Sequence, residues 1–357
     1  VFEALSNFRV YLQREPNGEH VVGARLGIGT SLARIGRPEE AQAMLHELRE
    51  GSLNEAQEGR VAYVLASIAE EQGDTYAALK HYKTVLKSPA FDNKTQVYAH
   101  IAQVYFDNRI YNEAADAYRK AYEQASSTAD SARFLRGGIT ALVMDGKSKN
   151  ADKLIAQFKD RFGERTEGLA DIVYHEGLHL LNVKEYDKAA NRFKYILSKY
   201  PESERSDDAL YHVGLTRYYE GEKEAAQRLF DECVTRYPQS SWLPYARFKL
   251  GMLLHEQEQY SLAAEHFAAV VADTDADAKT RFRAANNAAL DYQKVLAWAD
   301  AGRMYRRILE EFPKQVSESL AHLKIGFCLV QASRFEEAIG HFLKANENPS
   351  AETRPEI

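Results

Sequence analysis

Apolar residues recur along this chain at the spacing of amphipathic α-helices, and the helical stretches come in pairs. Leu210 and Val213 share one face of a predicted helix over 207–220, and Phe230 lies on the apolar face of the next, over 224–236. The apolar positions do not follow the alternation with a period of two that is typical of a half-buried strand. The pattern therefore predicts an all-α chain built from helical hairpins.

The hairpin pattern returns about every 37 residues along the whole chain. An alanine marks each second helix, with steps of 36 to 38 residues between successive alanines. Eight of the ten residues four positions after it are aromatic, where an aromatic content of 11% would give about one. Eight of the nine residues twelve positions before it are Gly or Ala, which predicts close packing of a ring against a small residue. The marker alanines are Ala4, Ala41, Ala78, Ala114, Ala151, Ala189, Ala226, Ala263, Ala301 and Ala338.

One hairpin cannot bury its apolar face alone, so neighbouring hairpins are expected to stack. The sequence predicts a right-handed α-solenoid of about nine hairpins, continuous over 1–347, with a leading half repeat over 1–21 and a polar tail over 348–357. Neither end carries a polar capping helix, so we expect a segment of a longer array or ends that a partner covers. The hairpins are expected to begin near residues 22, 59, 95, 132, 170, 207, 244, 282 and 319.

Four repeat positions match the tetratricopeptide signature: a small eighth residue, alanine at the twentieth, a large aromatic residue at the twenty-fourth and proline near the thirty-second. The chain resembles that family over essentially its whole length, although its period exceeds the family's 34 residues. Residues 199–203, Lys-Tyr-Pro-Glu-Ser, and 236–240, Arg-Tyr-Pro-Gln-Ser, resemble the bacterial cell-envelope branch, which includes the outer-membrane assembly lipoprotein and the Tol-Pal coordinator. The resemblance implies a scaffold that is periplasmic or associated with the outer membrane, with a cytoplasmic location left open.

Charge and hydropathy narrow the class of partner. The net charge is -6, and Lys and Arg are scattered instead of forming a basic block, which disfavours nucleic acid. No run approaches the roughly 18 to 20 apolar residues of a membrane-spanning helix. A protein or peptide is therefore the expected partner, and the resemblance implies outer-membrane, Tol-Pal or peptidoglycan-linked components.

Residues 175–179 read His-Glu-Gly-Leu-His, the spacing with which a helix can bind zinc and place a glutamate as general base. Three interpretations stay open: incidental helix surface, a metal site using His175 and His179, and a zinc peptidase. Because no strand and no third ligand are predicted, the pattern favours helix surface. We expect no catalytic residues and no cofactor.

The family resemblance implies ligand contacts along a concave groove, at the second, fifth, ninth and twelfth positions of the first helices. Tyrosine and arginine at such positions are typical interface anchors. The alternative is that the tyrosines belong to the core and the charges face solvent. Two functions follow: a non-catalytic interaction scaffold, or a regulatory arm of a larger enzyme or sensor. The candidate residues are Arg60, Tyr63, Arg133, Arg136, Asp171, Tyr174, Asp208, Tyr211, Tyr218 and Arg283.

Overall fold

A computed structural model describes residues 1–51, 53–163 and 166–347, and every regular element in these ranges is an α-helix. The all-α prediction is confirmed. The helices of the described residues are α1 (Phe2–Arg14), α2 (Val21–Arg34), α3 (Pro38–Glu50), α4 (Glu55–Glu71), α5 (Thr75–Lys87), α6 (Lys94–Asp107), α7 (Tyr111–Glu123), α8 (Thr128–Met144), α9 (Ser148–Phe162), α10 (Glu167–Asn182), α11 (Tyr186–Lys199), α12 (Ser206–Tyr219), α13 (Lys223–Arg236), α14 (Leu243–Glu256), α15 (Tyr260–Ala272), α16 (Ala278–Lys294), α17 (Trp298–Glu311), α18 (Glu318–Gln331) and α19 (Phe335–Glu347).

Among the described residues, the helices after α1 follow one another in the order of first and second helices of nine hairpins, which confirms the predicted repeat pattern behind a leading half repeat. Proline marks several boundaries, as its missing N–H requires. Pro38 is the first residue of α3, and Pro244 lies in the first turn of α14. Pro201 and Pro238 directly follow the residues that cap α11 and α13.

In several hairpins, a ring of the second helix packs against the small residue of the first helix. A Cβ added to Gly214 would lie 2.8 Å from Cε1 of Phe230, whose side chain is fully buried. The same contact joins Gly251 to Phe267, at 2.9 Å. Since no Cβ fits at these distances, glycine is what lets the two helices approach. The predicted packing of ring against small residue is confirmed.

The turn inside each of the nine hairpins contains one residue with positive φ. Four of these residues are glycines, such as Gly221 at φ 83°, but the other five carry side chains, such as Leu296 at φ 58°. The left-handed conformation costs an L-residue about 1–2 kcal/mol relative to glycine. The chain therefore keeps the turn geometry even where the sequence provides no glycine for it.

Leu296→Gly should raise the free energy of unfolding by about 0.5–1 kcal/mol, because relief of the left-handed strain exceeds the extra entropy that glycine gives the unfolded chain. The Leu296 side chain is 69% exposed, so little packing is lost. Chemical denaturation measures the change. Leu262→Gly is the control, since Leu262 is also exposed but lies inside α15, where glycine should cost about 1 kcal/mol. Equal losses in both variants would contradict the strain at residue 296.

The chain separates into two compact units, Val1–His179 and a second that begins at Leu180. One core cluster of the first unit gathers Ile28, Leu45 and Leu65. The second unit has a core cluster whose members run from Leu210 to Ala338.

A single array over 1–347 stays a prediction, and the predicted tail, 348–357, lies outside the described residues. Among the helices described, none is long and apolar enough to cross a membrane.

Candidate functional site

A groove of about 530 Å³ lies in the first unit. Its lining comes mainly from α4, α6, α8 and α10, the first helices of four successive hairpins. The predicted residues Arg133, Arg136 and Asp171 line it together, and so does His175. A further predicted residue, Tyr63, is joined to the groove through a hydrogen bond to His100. The repeat thus brings side chains from distant parts of the sequence to one surface.

One side of this groove holds a hydrogen-bonded cluster around Glu70. Tyr82 donates its hydroxyl to Oε2 of Glu70 at 2.5 Å, and Nδ1 of His100 lies 3.2 Å from the same oxygen. The Tyr63 hydroxyl lies 3.3 Å from Nε2 of His100. Burial raises the pKa of Glu70, but the hydrogen bonds from His100 and Tyr82 outweigh burial and leave this pKa below its ordinary value. The carboxylate is therefore held in its charged form.

The other side of the groove carries charges of both signs. Nε of Arg136 lies 3.5 Å from Oδ2 of Asp171, and Nε2 of His175 lies 3.9 Å from Oδ1 of Asp171. The Arg133 guanidinium donates to Oδ1 of Asp130 at 2.9 Å and to Oε1 of Gln96 at 3.1 Å. These arginines are held in place by partners on their own and neighbouring helices. They can present N–H groups to a ligand without rearrangement of the backbone.

Aromatic side chains line the same groove. Phe106 and Tyr118 belong to its lining, with the fully buried Phe134 beneath them, and a Cβ on Gly137 would lie 2.7 Å from the Tyr118 ring. The double glycine of α8 therefore serves close packing against α7. Burial, assisted by the charge of Asp107, raises the pKa of Tyr118 to about 12, so the hydroxyl stays protonated and donates to Gln103 at 3.0 Å. Rings beside fixed charges are suited to holding a polypeptide.

The predicted residues Asp208 and Tyr211 of the second unit are largely buried, with 8% and 5% of their surface exposed. The Tyr211 ring stacks on Trp242 at a centroid distance of 4.6 Å. Oδ1 of Asp208 accepts a hydrogen bond of 2.5 Å from Nε1 of Trp242, and Oδ2 accepts one of 2.8 Å from Arg205. Both residues support the junction of α12 with the next hairpin. Tyr174 of the first unit is likewise 5% exposed, whereas Arg60 is exposed.

A second group of side chains gathers around the predicted residues Tyr218 and Arg283. Nζ of Lys249 lies 4.2 Å from the centroid of the Tyr218 ring, and the Arg283 guanidinium lies 5.0 Å from that of Phe248. Burial lowers the pKa of Lys249, and the positive charge of Arg283 lowers it further. Sequence reasoning missed Lys249, which occupies the sixth position of its repeat. His100 and His175 occupy the same position, and that shared register is the signal that would have found it.

The two histidines of the zinc-like motif have different surroundings. His175 lines the groove beside Asp171, and its ring meets Phe106 edge to face at 6.3 Å. His179 lies next to Gly146 in the turn between α8 and α9. Across the described parts of the chain, no group of three or more His, Cys, Asp or Glu residues is placed to hold a metal ion.

His212 should make the second unit sensitive to acid. Its Nδ1 lies 2.8 Å from the carbonyl oxygen of Asp208, so this nitrogen is the donor, and burial lowers the pKa of the ring below its ordinary value. The neutral His212 ring contributes its full share to the free energy of unfolding above the unfolded-state pKa of about 6.5. This contribution is lost as the pH falls below that value, because only the unfolded state takes up the proton on His212. Denaturation between pH 7.5 and 5 should show a shallower loss for His212→Asn. The exposed His20→Asn is the control, and equal pH dependence in both variants would contradict this role.

Two family models match the sequence. A tetratricopeptide repeat model matches residues 26–93 and 63–130, and the model of an outer membrane lipoprotein, YfiO, matches residues 167–314. A search of curated proteins finds no significant match.

Solved structures also match parts of the chain. MamA from Desulfovibrio magneticus RS-1 is 22% identical, over 50% of this chain and 93% of its own, with a TM-score of 0.37. PilF from Pseudomonas aeruginosa is 16% identical, over 61% of this chain and 92% of its own, with a TM-score of 0.43.

Proposed function

Because this chain is a tetratricopeptide-repeat protein with the fold of an interaction scaffold, we propose that it is non-catalytic and holds a polypeptide partner along its first helices. The groove of the first unit is the observation that carries this proposal. Four successive hairpins contribute side chains to it, so a partner would meet a long surface instead of a single pocket.

The lining of the groove supports a polypeptide ligand. Arg133 and Arg136 are partly exposed, with their guanidinium groups oriented by Asp130 and Asp171. Phe106 lies in the same lining. Arginine and aromatic side chains contribute much of the binding energy at protein interfaces, and pre-oriented side chains lose less entropy on binding.

We further propose that the partner belongs to the bacterial cell envelope. The match of residues 167–314 to an outer membrane lipoprotein family supports this assignment. The partner would then be an outer-membrane or peptidoglycan-linked component, and the chain would act in envelope assembly or maintenance, in the periplasm or at the outer membrane.

Site-specific photo-crosslinking tests the groove. A photoreactive residue in place of Gln103, which lines the groove, should crosslink a partner in a bacterial envelope fraction. Combining Arg133→Gln with Arg136→Gln should reduce that crosslink at least about tenfold, since an arginine anchor contributes about 2 kcal/mol. Lys153→Gln, which removes an exposed charge from the second helix α9, is the control.

The outcomes separate the parts of the proposal. An equal loss with the control would contradict the groove as the binding site. A groove-dependent crosslink to cytosolic proteins alone would contradict the envelope assignment and keep the scaffold.

A further inference from the structure

We propose that the second unit binds an acidic polypeptide segment with large apolar side chains. Its binding surface is defined here as the cationic face, formed by first-helix residues of α14, α16 and α18. This inference rests on the proposed scaffold function and adds the chemistry of one partner. The cationic face consists of Lys249, Arg283, Leu290, Leu323, Lys324 and Phe327.

Register in the repeat identifies this face. In the first unit, the groove is lined from the second, fifth, sixth, ninth and twelfth positions of the first helices, as with Arg133 at the second and Thr140 at the ninth. In the second unit, Arg283 holds the second position and Lys249 and Lys324 the sixth. The fifth and ninth positions hold the three apolar residues of the face. The cationic face is therefore the counterpart of the groove, with a different set of side chains.

The three cations of this face rest on aromatic rings. Lys249 lies over Tyr218 at 4.2 Å, Arg283 over Phe248 at 5.0 Å, and Lys324 over Tyr305 at 5.1 Å. A ring attracts a cation but does not neutralise its charge. An incoming carboxylate would therefore meet cations that are already positioned.

Two carboxylates on the helices of the cationic face have partners of their own. Glu256 forms a 2.8 Å salt bridge with Lys223, and the fully buried Asp291 pairs with His255 at 2.5 Å. The positive charge of Arg283 also repels that of Lys249. A polypeptide that brings its own negative charges would relieve this repulsion, so charge complementarity favours an acidic partner.

Because the cationic face also has exposed apolar residues, we infer that its partner carries apolar side chains as well as negative charge. Leu290 is 50% exposed, Leu323 39% and Phe327 48%. Removal of these side chains from water favours binding of a partner with apolar side chains of its own. A nucleic acid would use the cations and the ring of Phe327, but it would leave the two leucines without apolar partners. The mixed surface therefore fits an acidic, amphipathic polypeptide.

Fluorescence anisotropy with the whole chain tests the inference. Three labelled peptides of equal length serve as probes: leucines every three or four residues among glutamates, the same pattern among lysines, and serines in place of the leucines among glutamates. A short oligouridine is the fourth probe. The glutamate–leucine peptide should bind at least about tenfold more tightly than the others. Arg283→Glu and Lys324→Glu should each weaken it about tenfold, because each replaces an attraction by a repulsion.

Lys314→Glu is the matched control, since it reverses an exposed charge in the loop before α18. It should change the affinity less than twofold, and circular dichroism should show equal folding of all variants. Tighter binding of the lysine peptide or of oligouridine would overturn the inference, as would equal effects of Lys314→Glu and Lys324→Glu. If no peptide binds here while the Gln103 crosslink still depends on Arg133 and Arg136, this inference fails and the scaffold function stands.

Discussion

Gly214→Leu is expected to lower the free energy of unfolding by about 2–3 kcal/mol. The place of the first added carbon is already taken, because a Cβ there would lie 2.8 Å from the ring of Phe230. That ring is fully buried in the hydrophobic core of the second unit. Chemical denaturation of the purified chain, followed by circular dichroism, measures the loss.

Gly340→Leu is the control for this prediction, because Gly340 also lies within a helix of the second unit and has no atom within 4 Å of an added Cβ. Leucine there should stabilise the chain by up to about 1 kcal/mol through helix propensity. Phe230→Ala should by itself cost about 3–5 kcal/mol. Combined with Gly214→Leu it should cost less than the sum, and strict additivity would contradict direct packing of the two residues.

Asp208→Ala is expected to lower the free energy of unfolding by about 2–3 kcal/mol. It removes the acceptor of the Trp242 indole N–H and the charge that pairs with Arg205. Asp208→Asn should cost less, about 1 kcal/mol, since its amide oxygen can still accept from Trp242. Thermal and chemical denaturation measure both changes.

Asp207→Ala, one residue earlier in the same helical turn, is the control and should stay within about 0.5 kcal/mol of the parent. A stable Asp208→Ala variant that has lost its partner would show instead that this carboxylate contacts a ligand. The two outcomes distinguish between two roles of Asp208: stabilisation of the fold, which its contacts indicate, and contact with a partner, which its repeat position predicts.

The periodic part of the fold was predictable because it depends on residue type at fixed spacing. The contact of Gly214 with Phe230 follows from such a pattern. The left-handed turn residue was not predictable in the same way. In five hairpins it is not glycine, as at Leu296, and the conformation is imposed by the two helices that the turn joins.

The candidate site was predictable only in part. Arg133 and Arg136, which repeat position selected, line one groove, and their contact with a partner stays a prediction. The same rule also selected Tyr211, which is buried because Trp242 of the next hairpin covers it. It omitted Lys249, because the sixth position was not among those considered. Such differences arise from the reach of individual side chains, which a backbone period does not determine.

The ring-to-glycine contacts also have a consequence for how the chain folds. Phe230 follows Gly214 by only 16 residues, as Phe267 follows Gly251. Closing so short a loop costs little entropy, so each hairpin can nucleate independently and dock on its neighbour afterwards. Refolding should therefore be fast and able to begin at many points along the chain. A destabilising substitution in one hairpin should slow the folding of that hairpin more than the folding of the others.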